Sequence, residues 1–209
     1  MKTSSILSAS VAINTAIIAN ESEIESLDRA IGDGDHFINI KRGTEAIAGM
    51  HAELLALPAD EVLNKIGIKL LSTIGGASGP LFASFFIGMA KVIKQNGGNN
   101  PLEIAAAFAA GVQSIMQRGK ADLGEKTMLD VLIPVSTTFT LSAAEGKSLA
   151  EICSAIKLAA DTGLESTRNL IATKGRAAGL GERAIGHLDA GAKSCQVMVH
   201  AVCDSMLKG

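Results

Sequence analysis

Lys69-Leu70-Leu71-Ser72-Thr73-Ile74-Gly75-Gly76-Ala77-Ser78-Gly79-Pro80-Leu81-Phe82-Ala83-Ser84-Phe85-Phe86-Ile87-Gly88-Met89-Ala90-Lys91 carries no charge between its two terminal lysines. An uncharged run of that length is either a membrane span or the place where two buried helices meet. Gly75, Gly76, Gly79 and Pro80 sit in its middle, and glycine with proline at the centre of an apolar run marks a turn. The reading is two helix ends and a loop, with no membrane span. A second apolar stretch, Val11 to Ala19, resembles a secretion signal, but Asn14 interrupts it. Ile6, Ile13 and Ile17, with Leu7, Val11 and Ile18, follow the period of an amphipathic helix instead.

Outward from that turn, the apolar period predicts eight helices, at about 4–26, 36–53, 60–74, 80–96, 101–117, 127–144, 148–170 and 191–207. Asp60 reads as an N-cap, Pro101 as a first helical residue after Asn99-Asn100, and Ser148 with Glu151 as a capping box. Gly97-Gly98 and Gly146 end the helices before them. Val131-Leu132-Ile133-Pro134-Val135 comes closest to a strand, but it lies inside a longer helical pattern that Pro134 would kink. The fold class is all-α, an antiparallel up-and-down bundle.

The loops divide into two kinds. Pro58-Ala59, Gly97 to Asn100 and Glu145 to Lys147 are short and plain. Asp28 to Asp35, Gly75 to Pro80, Arg118 to Lys126 and Gly175 to Gly191 are crowded with glycine and charge. In an alternating bundle the first, third, fifth and seventh connections emerge at one end, and these are the four rich loops. One end of the bundle is therefore expected to be a functional face.

Composition narrows what that face binds. The chain has 209 residues, 47% hydrophobic and 19% charged, with net charge −2, six Phe and neither Trp nor Tyr. Nothing there favours nucleic acid or an anionic membrane. Cys153, Cys195 and Cys203 have no metal-ligand spacing and read as small buried hydrophobes in a reducing cytoplasm. In Asp28-Arg29-Ala30-Ile31-Gly32-Asp33-Gly34-Asp35-His36, three carboxylates separated by glycines would repel one another unless a cation sits among them. Hard oxygen ligands suit Mg²⁺ or Ca²⁺. An EF-hand is excluded, because Ile38 and Thr44 stand where the sixth and twelfth positions need Gly and Glu. A solvated acidic turn is the alternative for this loop alone.

Gly75-Gly76-Ala77-Ser78-Gly79-Pro80 leads into an apolar helix, whose free N–H groups suit an anion, although it could be a plain interhelical turn. Arg118-Gly119-Lys120 and Lys174-Gly175-Arg176 add cations at the same end. Carboxylates, a divalent metal, glycine-rich helix starts and basic residues together suit a polyphosphate. Gly119 to Gly124 followed by Glu125-Lys126-Thr127 nearly spells a Walker A loop, but Glu125 intrudes and no strand precedes it. His36 and His187 lie in these loops without a nucleophile beside them, so no catalytic residue is assigned.

Gly32-Asp33-Gly34-Asp35-His36, the Gly75 to Leu81 turn, Arg118-Gly119-Lys120 with Lys126-Thr127-Met128-Leu129-Asp130, and Lys174-Gly175-Arg176 with Leu180 to His187 resemble the DhaL family, the nucleotide-binding subunits of dihydroxyacetone kinase. The resemblance spans essentially the whole chain and implies a single domain over 1–209, an eight-helix antiparallel barrel with ADP or ATP at one end. It implies that Asp28, Asp33 and Asp35 hold two Mg²⁺ ions. His36, Phe37, Ile38, Asn39, Ala77, Ser78, Gly119, Met128, Arg176, Asp189, Ala190 and Gly191 would contact the nucleotide. The ketose would sit on a separate DhaK-like subunit, without which this chain would be inactive. A DhaM-like phosphotransferase subunit could recharge bound ADP; the alternative function is an ADP-loaded regulatory binding module acting on a transcription regulator. Phe37 stands where the family commonly has Gly, and Ala190 where it has Pro. A Phe beside the phosphates could touch the partner's sugar, so a longer ketose such as a tetrulose is an alternative substrate.

Overall fold

Phe37, Ile40, Thr44 and Ile47 recur at intervals of three and four residues, and in the computed structural model, which describes residues 1–208, this stripe faces the core. Among the described residues the chain forms ten α-helices and no strand: α1 (Thr3–Ala19), α2 (Glu21–Ile31), α3 (His36–Ala48), α4 (His51–Leu54), α5 (Ala59–Thr73), α6 (Ser78–Asn96), α7 (Pro101–Gly119), α8 (Leu129–Ala144), α9 (Leu149–Ser166) and α10 (Ala190–Lys208). Two 3₁₀ segments, Thr167–Asn169 and Arg176–Ala184, lie between α9 and α10. The fold class is all-α, as expected.

Two of the expected helices are each divided. The first breaks at Asn20, where α1 and α2 bend by 65°, and α2 then runs on to Ile31. Asn20 Nδ2 donates to Ala16 O at 2.8 Å, a carbonyl that also accepts the Asn20 N–H at 3.1 Å, so the side chain folds back onto the end of α1. The second pauses at Gly49-Met50 before the single turn of α4. Other ends follow their capping chemistry. Asn100 accepts from Glu103 N ahead of Pro101, and Ser148 with Glu151 forms the capping box. Pro58, not Asp60, occupies the cap position of α5. Among the described residues no single helix is long and apolar enough to cross a membrane.

The helices close into a ring. α1 packs on α3, α3 on α5, α5 on α6, and so on through α10, which returns to α1. Their inner faces share one core that includes Leu7, Ile17, Ile40, Ile66, Ile115, Val131 and Cys195. Phe85, Phe108 and Phe139 meet edge-to-face across α6, α7 and α8, at centroid distances of 5.3 and 6.3 Å. Cys153, Cys195 and Cys203 are buried thiols, in line with their reading as small hydrophobes.

Tertiary burial decides α8. Its Val, Thr and Pro134 content is poor for a helix, with an internal proline costing about 3 kcal/mol or more. Leu129, Val131, Leu132 and Val135 are all at most 6% exposed. Burying four such side chains contributes roughly 6–12 kcal/mol before entropy, enough to hold the helix through the proline.

α8 meets α9 at Gly163, where an added Cβ would stand 2.3 Å from Asp130 O and 3.0 Å from Val131 Cα. Both are backbone atoms with little room to give. Gly163→Ala is expected to lower unfolding free energy by about 1–3 kcal/mol, the usual range for overpacking, as read from urea denaturation. Unchanged stability would show that α8 and α9 can separate freely.

Candidate functional site

α2 and α3 are joined by Gly32-Asp33-Gly34-Asp35. Asp28 belongs to the last turn of α2 rather than to the loop, because the apolar positions Ile24, Leu27 and Ile31 carry the helix past it. Its Oδ2 accepts from His36 N at 3.0 Å, placing a carboxylate on the N-terminus of α3. A Cβ at Gly32 would stand 1.9 Å from Asp28 Oδ1, so only a hydrogen fits there. Gly34 has φ +78 and turns the chain back. Carboxylate oxygens of Asp28, Asp33 and Asp35 consequently lie within 4.8 Å of one another.

Arg176, far along the chain, donates from Nε to Asp33 Oδ2 at 2.6 Å. Desolvation would raise the Asp33 carboxyl, but the hydrogen bond and charge of Arg176 outweigh it and hold the group below its usual range. His36 turns toward α10, with Nε2 2.9 Å from the buried Ser194 Oγ. Ser194 Oγ donates to Ala190 O at 3.1 Å, leaving its oxygen to accept from the imidazole N–H. Burial pulls the His36 imidazole down against the nearby charges of Asp28 and Asp35, which favours a neutral ring.

The other rich loops converge here. At the 74–77 turn, a Cβ on Gly75 would meet Asn39 Oδ1 at 2.7 Å, so the turn lies close against α3. α6 then starts with Ala77 in the cap position, a residue with no side-chain acceptor for the first-turn N–H groups. Gly119 ends α7 beside Leu81 of α6. In the 120–128 loop, the buried Asp130 carboxylate accepts from Gly124 N at 2.6 Å and Thr127 N at 2.7 Å. Glu125 accepts from Thr173 Oγ1 at 2.7 Å and pairs with Lys174 at 3.6 Å.

The long 167–189 segment is fastened at both ends. Ala172, Ala177 and Ala184 pack against Ile31 at the end of α2. Asp189 N donates to Thr167 Oγ1 at 3.1 Å, and Asp189 Oδ2 accepts from Ala192 N at 2.7 Å, capping α10. Burial pushes the Asp189 carboxyl up to about 6. Gly191 lies against Met128.

The structure thus gathers Asp28, Asp33, Asp35, His36 and Arg176 in one place, with Asn39 against the 74–77 turn. Met128, Asp189, Ala190 and Gly191 stand together at the start of α10. Phe37 requires a correction. It is 2% exposed and its ring lies in the core, because it begins the inward stripe of α3. The side chain cannot stand beside phosphates or reach a partner's sugar, and any contact from this residue comes from its backbone. Ile38, by contrast, is 48% exposed. Sequence reasoning passed over Lys126, Asp130, Thr167 and Ser194, which hold the site together from behind. Lys126 and Asp130 lie in a motif already singled out, but their burial is not visible in residue type.

The DAK2 domain family matches residues 30–204. The Escherichia coli (strain K12) PEP-dependent dihydroxyacetone kinase, ADP-binding subunit DhaL, is 39% identical over 188 residues, 88% of this chain and 88% of its own length. The PTS-dependent dihydroxyacetone kinase, ADP-binding subunit DhaL, of Lactococcus lactis subsp. lactis (strain IL1403) is 35% identical over 182 residues, 87% of this chain and 86% of that subunit. Among solved structures, the dihydroxyacetone kinase from C. freundii in complex with AMP-PNP and Mg²⁺ superposes with a TM-score of 0.75 at 24% identity, over 95% of this chain. This chain spans 33% of that longer protein, and the likeness is one of fold. A family match over most of the chain, joined to these identities, shows that the chain belongs to the DAK2 domain family, as a relative of the ADP-binding DhaL subunits of dihydroxyacetone kinases.

Proposed function

We propose that this chain is the nucleotide-carrying subunit of a ketose kinase, a single DhaL-type unit that works in the cytoplasm. It holds ADP or ATP through two Mg²⁺ ions and passes the γ-phosphoryl group to a ketose bound on a separate DhaK-like subunit. The observation that carries this reading is the approach of three carboxylates to within 4.8 Å at the end of the ring where all four rich loops meet.

The donor set fits magnesium. Asp28, Asp33 and Asp35 offer hard oxygen ligands, and a guanidinium already rests on one of them, as expected where a cation is favoured. These three aspartates would hold magnesium, which would supply neutralisation of phosphate charge there. The protein supplies the rest by placement. First-turn N–H groups of α6 are open to a phosphate without competition from a side-chain cap, and the exposed Arg176, paired with Asp33, offers a positive charge at the edge. Ala190 and Gly191 open α10, where small residues permit close approach of a ligand to the backbone. The Ser194 hydroxyl beside His36 is buried and donates to Ala190 O, so this pair presents no nucleophile to a ligand, which suits phosphoryl transfer driven by alignment and charge neutralisation.

Two relatives are described as PEP-dependent and PTS-dependent. On that basis the nucleotide here acts as a fixed coenzyme, recharged in place by a DhaM-like phosphoryl donor. With the Phe37 ring in the core, the site offers no reason to favour a longer ketose over dihydroxyacetone.

The purified chain is expected to bind ADP in calorimetry with Mg²⁺ present and to lose it in EDTA. Equal binding in both would sink the metal assignment. Asp33→Asn or Asp35→Asn should weaken binding by more than about tenfold, since even partners behind a metal ligand are worth about 10–100-fold. Mixed with its DhaK-like partner and dihydroxyacetone, the chain should yield the phosphorylated ketose, whereas either partner alone should not. Gly32→Ala should impair Mg²⁺–ADP binding as well, because its methyl group would displace the Asp28 carboxylate; wild-type affinity in a folded variant would contradict that.

A further inference from the structure

Lys126 follows the glycine-rich stretch that nearly spells a Walker A loop, and it is 1% exposed with φ +58, a backbone conformation that non-glycine residues seldom adopt. A lysine in both conditions persists where its surroundings hold it there. Its Nζ donates to Thr167 O at 2.5 Å and to His187 O at 2.6 Å. Those carbonyls mark the two ends of the segment that carries Arg176, and His187 is two residues from Asp189. Thr167 adds a second hold, since its hydroxyl accepts the Asp189 N–H at 3.1 Å. Burial pulls the Lys126 ammonium below its usual range, and the Asp189 and Asp130 carboxylates counter part of that cost. A compact ammonium with several donors can serve two converging carbonyls in a space closed to solvent.

We propose that Lys126 is a positioning residue for the nucleotide: its ammonium clasps both ends of the 167–187 segment to the 120–128 loop and so holds Arg176 and Asp189 at the binding end. The role rests on the function proposed above. A lysine that merely supported the fold would raise the stability of the whole ring, whereas this one acts on one segment and, through it, on the ligand.

The test uses the full chain, with Lys126→Met, a variant of similar shape that removes the charge and the donors. Mg²⁺–ADP affinity is expected to fall about tenfold or more, the scale seen when groups that hold binding residues in place are removed. Hydrogen exchange of the ligand-free protein should accelerate across 167–189 while α5, α6 and α7 keep their wild-type protection. Affinity within about twofold of wild type, or acceleration spread evenly over all helices, would overturn the proposal. Should Lys126→Met fail to fold, Thr167→Val removes the neighbouring hydroxyl at nearly constant volume. It is expected to weaken Mg²⁺–ADP binding measurably and to free the same segment, and unchanged binding and exchange would count against the clasp. If the unaltered chain binds no Mg²⁺–ADP, the functional reading fails and the nucleotide role of Lys126 fails with it. The exchange arm, run without ligand, still decides whether the lysine holds the segment.

Discussion

Three carboxylates held within 4.8 Å of one another are a constraint that the surrounding structure must answer. Left alone they would repel and the α2–α3 link would open. Several features of the fold act against that. The N-terminus of α3 faces Asp28 and takes its oxygen as a cap. Gly32 lets Asp28 approach, and Gly34 folds the link back on itself. Arg176 brings a positive charge from the other end of the sequence, on a segment that packs its alanines against Ile31 of α2. The acidic cluster and the long segment before α10 are therefore one device, and the ring of helices serves to bring them together.

Much of this was legible in the residues. Helical period and glycine-rich breaks located most of the long helices, since each presents a single apolar stripe to a shared core. The alternation of plain and crowded loops pointed to one functional end, which depends on nothing finer than the antiparallel order of neighbours. The motif resemblance placed Asp33, Asp35 and Arg176 in one site although 143 positions separate Asp33 from Arg176 along the chain.

What stayed hidden was set by tertiary surroundings. The break at Asn20 has neither Gly nor Pro to mark it, and the bend follows from how α1 and α2 each pack. Asp28 looked like part of the loop because acidic and glycine residues crowd that stretch, whereas Ile31 draws the helix on by burying itself. Phe37 sits beside His36 in sequence, but successive helical residues point about 100° apart, so one faces the site and the other the core. Lys126 ends a polar loop and Asp130 stands in the first turn of α8, positions where charge ordinarily means solvent; only the folded chain shows carbonyls and amides closing around them.

Closure of the ring by α10 against α1 has a kinetic consequence. Around the ring, neighbouring helices are also consecutive along the chain or separated by one short helix, apart from this last pair. Local pairings of that kind cost little chain entropy, so helical hairpins such as α5–α6 and α6–α7 can form early and independently. The α1–α10 contact must await the rest of the ring. Ser194, Asp189 and Gly191 all belong to the start of α10, so the binding end is completed by the same step that joins the two ends of the polypeptide. An immature chain could carry most of its helices and still lack a site.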